Sequence, residues 1–97
     1  MKLRNMIENN EGTIIDVRTP TEFQGGHSNG SINIPLHEIY RRMDELQKLK
    51  TPLILCCSSG GRSAQATYIL SQHKIECIDG GYWISAHSFQ AKPISAS

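Results

Sequence analysis

The 97-residue sequence lacks several features that would place it in large classes of protein. It has no apolar run near the roughly 20 residues that a membrane-spanning helix needs. Residues 1–6 are charged and polar, without the apolar segment of a secretion signal. The formal net charge is only +1, so electrostatics predicts neither a nucleic acid nor a membrane surface as a partner.

Cysteine is scarce and poorly spaced for a disulfide scaffold or a zinc site. The three cysteines are Cys56, Cys57 and Cys77, an odd number with two adjacent members. Disulfide-rich domains need an even, dispersed set, so a reducing compartment, the cytoplasm, is expected. The sequence has no Cys-x-x-Cys pair and no two histidines at i,i+4, and we therefore expect no metal site.

The length fits one domain and excludes a separate cofactor module. We expect a single domain over residues 1–90. The segment 91–97 is small and polar, and we expect it to form a loose tail.

Hydrophobic patterning predicts strands that alternate with helices. The β-branched run at 13–17 and the continuous apolar run at 52–56 are typical of buried strands. Thr19, Pro20 and Glu22 form a capping box that predicts a short helix to Gln24. The remaining predictions are helices at 3–9, 39–49 and 63–71, strands at 31–35 and 75–78, and a turn at 79–81. This alternation indicates an α/β fold with a mainly parallel sheet, whose site lies at the carboxyl edge.

The segment from Leu55 to Ser63 contains the residues that we expect to bind and react with a substrate. A buried strand leads into a loop of serines and glycines that opens a helix, so its N–H groups and the helix dipole point at one spot. A cysteine at the start of such a loop is held as a thiolate. Arg62 adds a positive charge and a planar fork for an oxyanion. The pattern alone leaves a second interpretation open, in which the cysteines are core residues beside a tight turn.

The ordered motifs along the chain resemble those of single-domain rhodanese-like sulfurtransferases, over about residues 13–84. The motifs are Asp16-Val17-Arg18, Glu22-Phe23, Gly26-His27, Gly30-Ser31-Ile32-Asn33-Ile34-Pro35, Cys57-Ser58-Ser59-Gly60-Gly61-Arg62-Ser63 and Asp79-Gly80-Gly81. The resemblance implies a sheet of about five strands flanked by helices on both faces. It implies a sulfurtransferase that moves a sulfane sulfur from a small donor to a thiol or protein acceptor, with no cofactor.

By position, the resemblance implies that Cys57 is the nucleophile that becomes a persulfide. The anion-binding loop would comprise Ser58, Ser59, Gly60, Gly61, Arg62 and Ser63. Asp16 and Arg18 resemble supporting positions that pair with Glu22. Many thiosulfate-using relatives have a second basic residue in the loop, where this chain has Ser58 and Ser59.

Three alternatives compete with this assignment. Cys56-x5-Arg62 has the spacing of cysteine-dependent phosphatases and arsenate reductases. A rhodanese-like domain can also serve as a non-catalytic binding module. Finally, Cys56 or Cys77 could resolve an oxidised Cys57 in a redox sensor.

Overall fold

The computed structural model describes residues 2–90, with side chains from 3 to 86, so the expected tail at 91–97 lies outside the described residues. Helices and strands alternate along the chain as the patterning predicts. In chain order they are α1 (Lys2–Glu8), β1 (Thr13–Asp16), α2 (Pro20–Gln24), β2 (Ile32–Asn33), a 3₁₀ turn (Leu36–Glu38), α3 (Met43–Gln47), β3 (Leu53–Cys57), α4 (Gly61–Gln72), β4 (Cys77–Tyr82) and α5 (Trp83–Gln90).

The four strands form one parallel sheet in the order β2-β1-β3-β4. This confirms the predicted α/β fold with a parallel sheet. Within residues 2–90 the sheet has four strands rather than about five. The element before β1 is a helix, α1, and the element after β4 is also a helix, α5. The strand count matches the four segments that patterning alone predicts.

Side chains of β3 alternate between two buried clusters, which explains its continuous apolar sequence. Leu53, Leu55 and Cys57 lie on the face covered by α4 and by the segment from the 3₁₀ turn through α3. Ile54 lies on the opposite face, where it meets Ile7 of α1 and Ala86 of α5. Helices therefore cover both faces of the sheet, as expected.

The turn predicted at 79–81 is wrong, since these residues lie inside β4. The pairing shifts register there: Leu55 pairs with Asp79 and Cys56 with Gly81, which leaves Gly80 as the extra residue of a bulge. A Cβ on Gly80 would lie 2.8 Å from the Ile54 side chain and 3.1 Å from the Leu55 carbonyl oxygen. The glycines that resemble a turn in the sequence instead allow a close approach between two strands.

Helix boundaries also differ from the predictions. Only Met43–Gln47 of the helix predicted at 39–49 is α-helical, and residues 39–42 form turns, because Arg42 leaves the helical region with φ −108° and ψ 23°. The capping box of α2 is present as predicted. Helix α4 begins two residues early, at Gly61, and α5 has no counterpart in the sequence predictions.

Candidate active site

The candidate site lies at the carboxyl edge of the sheet, where the parallel strands end together. Asp16 ends β1 opposite Cys56, and Cys57 ends β3 opposite Tyr82. The loop of small residues from Ser58 to Gly60 then leads into α4. These three segments converge as the parallel topology requires.

The sulfur of Cys57 lies inside this loop. The backbone N–H of Gly60 donates a hydrogen bond to Sγ at 2.9 Å, and the N–H of Ser63 donates a second at 3.4 Å. Gly60 has a φ of +93°, a conformation that favours glycine. The amides therefore face the sulfur, as the loop composition predicts.

These contacts act on the charge of the thiol. Burial on its own raises the pKa of Cys57, which has no exposed surface. The hydroxyl and N–H of Ser63 and the N–H groups of Ser59 and Gly60 stabilise the thiolate, and the pKa lies below the usual value for cysteine. The loop can thus hold a nucleophilic sulfur anion without a neighbouring base.

Cys56 has the opposite environment, although it is the adjacent residue. It is fully buried, and burial together with the negative charge of Asp16 raises the pKa of its thiol to about 12. Strand alternation points its side chain to the other face of the sheet from Cys57. The geometry therefore opposes the alternative in which Cys56 is the nucleophile of a phosphatase loop.

Arg62 is engaged by a carboxylate. Its Nη1 and Nη2 donate to the two oxygens of Glu22 at 2.7 and 3.0 Å, and Nη2 also donates to the Ser58 hydroxyl at 2.9 Å. This pair joins α2 to the loop across 40 residues of sequence. The fork expected to bind an oxyanion is already occupied by a side chain.

Arg18 pairs with Asp16 rather than with Glu22, which corrects the pairing that the resemblance implied. Its Nε and Nη2 donate to the Asp16 carboxylate at 2.7 to 3.1 Å, and Nη2 also donates to the Gly26 carbonyl at 2.7 Å. Both side chains are buried, and the guanidinium lies 4.7 Å from the Trp83 ring centre. Arg18 thus holds together β1, the loop after α2 and the start of α5.

Asp79 belongs to the site although it is absent from the predicted site residues. One of its carboxylate oxygens accepts hydrogen bonds from the Ser63 hydroxyl at 2.8 Å and from the Gly81 N–H at 3.0 Å. Ser63 in turn contacts Cys57. The sequence predicts that Asp79-Gly80-Gly81, which follows a strand, lies at the carboxyl edge of the sheet, but it does not indicate that the Asp79 carboxylate lies beside α4.

Cys77 lies far from the candidate nucleophile. It pairs with Leu53 at the start of β3, whereas Cys57 is four residues further along, a separation of about 13 Å in an extended strand. A disulfide requires Cα atoms within about 7 Å. Neither Cys77 nor Cys56, on the opposite face, is placed to resolve an oxidised Cys57, and this alternative is not supported.

Comparisons with known proteins agree with this fold. The family model described as a rhodanese-like domain matches residues 1–83. Among solved structures, the crystal structure of a rhodanese-related protein from Thermoplasma volcanium superimposes with a TM-score of 0.76 at 32% identity, covering 94% of this chain and 91% of that one. The chain belongs to the rhodanese-like domain family.

Two curated relatives match more than half of the sequence. The chain is 39% identical over 72 residues to the uncharacterized protein YqhL of Bacillus subtilis (strain 168), covering 71% of this chain. It is 41% identical over 59 residues to the thiosulfate sulfurtransferase PspE of Escherichia coli (strain K12), covering 60% of this chain. The match spans 56% and 57% of the lengths of these two relatives.

The described residues contain neither a membrane-spanning helix nor a metal-binding cluster. No helix between residues 2 and 90 is long and apolar enough to cross a bilayer. In the same part of the chain, no group of three or more His, Cys, Asp or Glu side chains is arranged to hold a metal ion.

Proposed function

We propose that this protein is a sulfurtransferase that carries a sulfane sulfur as a persulfide on Cys57. The observation that carries the proposal is the pair of backbone N–H groups that Gly60 and Ser63 direct at the Cys57 sulfur. The lowered pKa of Cys57 supports a nucleophilic role. The name of the Escherichia coli relative, a thiosulfate sulfurtransferase, supports the same chemistry.

The proposed reaction is a two-step exchange. The Cys57 thiolate attacks the outer sulfur of a donor such as thiosulfate, a polysulfide or a persulfide, and the donor's S–S bond breaks as its remainder leaves with the electron pair. An acceptor, such as cyanide or the thiolate of a small thiol or a protein, then attacks the outer sulfur of the Cys57 persulfide. Cys57 leaves as the thiolate, so the cycle needs no oxidant, metal or organic cofactor.

The loop amides serve both steps. The anionic form of the persulfide needs the same hydrogen-bond donors as the thiolate, and amides that are already oriented stabilise it without reorganisation. Ser58 and Ser59 are small and exposed, and they form the solvent side of the loop. The proposal places this activity in a single domain over residues 1–90 of a cytoplasmic protein.

The test is to map sulfur loading by mass spectrometry. The wild-type protein, Cys56→Ser, Cys57→Ser and Cys77→Ser are each incubated with polysulfide, thiosulfate or cysteine persulfide, and the mass of each cysteine peptide is measured. We expect one added sulfur atom on the Cys57 peptide in wild type, Cys56→Ser and Cys77→Ser, and none in Cys57→Ser. A cyanide or thiol acceptor should then remove it.

Two other outcomes would favour other functions. Loading that survives Cys57→Ser and disappears in Cys56→Ser would contradict the assignment of the nucleophile. No loading of wild type by any donor would favour a non-catalytic binding module.

A further inference from the structure

An ion pair between Glu22 and Arg62 lies beside the Cys57 loop. Arg62 comes five residues after Cys57 and is the cation of the loop, but both of its terminal nitrogens bond to Glu22. Each side chain is about one-third exposed, at 32% and 37%, and Arg62 also donates to the hydroxyl of exposed Ser58, so the pair lies on the solvent side of the loop. Glu22 is further held by the N–H and hydroxyl of Thr19, at 3.0 and 3.1 Å.

We propose that Glu22 is a specificity-determining residue that, by pairing with Arg62, selects against doubly charged sulfur donors and favours donors of lower charge that have no sulfonate group. This inference rests on the proposed sulfurtransferase function. The disfavoured class is represented by thiosulfate, and the favoured class by small organic persulfides.

The other charged groups at this edge strengthen the effect. Arg18 is paired with Asp16 inside the protein, so this second guanidinium is also neutralised. Asp79 adds a carboxylate that accepts hydrogen bonds from Ser63 and Gly81. The two arginines named here are thus each matched by a carboxylate, and Asp79 is an additional carboxylate.

A dianion meets two obstacles at such a site. A free guanidinium would offer two parallel N–H donors to the oxygens of a sulfonate group, but here those donors already bind Glu22. If thiosulfate displaced the carboxylate, Glu22 would remain close by as an unpaired negative charge. An organic persulfide has no sulfonate group that would require the Arg62 guanidinium. Its transferable sulfur can therefore approach the Cys57 amides without displacing Glu22.

The first experiment measures the charge preference of the site without requiring sulfur transfer. Cys57 is alkylated with iodoacetate, an anion, and with iodoacetamide, its neutral counterpart, and the ratio of the two rates is compared between wild type and Glu22→Gln. Glutamine removes the charge yet can keep the capping-box hydrogen bond of α2. We expect the iodoacetate-to-iodoacetamide ratio to rise about two- to fivefold at low ionic strength, and the gain to shrink in 1 M salt.

The chain offers a matched control in Glu45→Gln. Glu45 of α3 forms an equally bidentate pair with Arg42, at 2.9 and 3.0 Å, and has no contact with the loop. We expect Glu45→Gln to leave the alkylation ratio unchanged. An equal rise in both variants, or no rise in Glu22→Gln, would overturn the proposal.

The second experiment measures the donor preference itself. Loading of Cys57 is followed by mass spectrometry over a range of thiosulfate and of cysteine persulfide concentrations. We expect Glu22→Gln to lower the half-saturating thiosulfate concentration about two- to fivefold and to lower that of cysteine persulfide by less. An unchanged thiosulfate value overturns the specificity role while the proposed function stands. Failure of every donor to load wild type overturns the proposed function, and the donor preference with it.

Discussion

The carboxyl edge of the sheet has two sides that contain the same kinds of residue in different settings. On one side, Cys57 faces the loop amides, and Arg62 is paired with Glu22 near the solvent. On the other, Cys56 lies beside the buried pair of Asp16 and Arg18. We infer that the two thiols differ in reactivity because of burial and the direction of the N–H groups, since the residue type is the same on both sides.

The first prediction sharpens this comparison through the two adjacent thiols, and it has the largest expected effect. The amides hold the pKa of Cys57 below its usual value, whereas burial raises the pKa of Cys56 to about 12. At pH 8, Cys57 should therefore react with iodoacetamide about a thousandfold faster than Cys56, since the rate follows the thiolate fraction. The rates are measured by peptide mass spectrometry in Cys57→Ser and Cys56→Ser.

Cys77 serves as the internal control for this measurement. Burial raises the pKa of Cys77, and its sulfur is only partly covered. Its alkylation rate should be the same in the two variants, which shows that neither substitution opens the fold. Similar rates at Cys56 and Cys57 would contradict the view that the loop amides separate the two thiols.

The second prediction compares the two arginines by stability. Arg18→Ala leaves the Asp16 carboxylate buried and unpaired, and it should lower the free energy of unfolding by about 3–5 kcal/mol. Arg62→Ala breaks a pair that is about one-third exposed, and it should cost about 0–1 kcal/mol. Urea unfolding followed by circular dichroism measures both.

A double variant separates the buried charge from lost packing. Asp16→Asn combined with Arg18→Met removes both charges and keeps most of the side-chain volume, so it should recover much of the stability that Arg18→Ala loses. Equal losses in Arg18→Ala and Arg62→Ala would show that burial does not distinguish the two pairs.

Local patterning predicted much of the fold because the relevant signals are short in sequence. The apolar run before Cys57 and the capping box of Thr19 and Glu22 each act within a few residues, and both form as predicted. The convergence at the carboxyl edge also follows, since parallel strands end together. The bulge at Gly80 could not be predicted from local sequence, because glycine is required there by the side chain of Ile54 in β3, more than twenty residues away.

The sequence could not predict which arginine pairs with which carboxylate, because these pairs also depend on contacts between distant parts of the chain. Nothing in the sequence decides whether Glu22 pairs with Arg18, its near neighbour, or with Arg62, 40 residues on. Glu22 pairs with Arg62 because α2 lies beside the loop in the folded protein. Arg18 then pairs with Asp16. The role of Asp79 depends likewise on the packing of α4 against β4.

The third prediction has the smallest expected effect and concerns acid. The Arg62 guanidinium, together with the Thr19 N–H and hydroxyl, lowers the pKa of Glu22 from 4.5 to about 2. A carboxyl whose pKa is lower in the folded state stabilises the protein above its unfolded pKa and loses that contribution as pH falls through the folded value. Wild type should therefore exceed Glu22→Gln slightly in urea midpoint at pH 6, and the gap should close between about pH 4.5 and pH 2. Because the carboxyl is exposed, salt should also narrow the gap at pH 6, and a gap that persists at pH 2 would mean that the pair is not what stabilises the folded state.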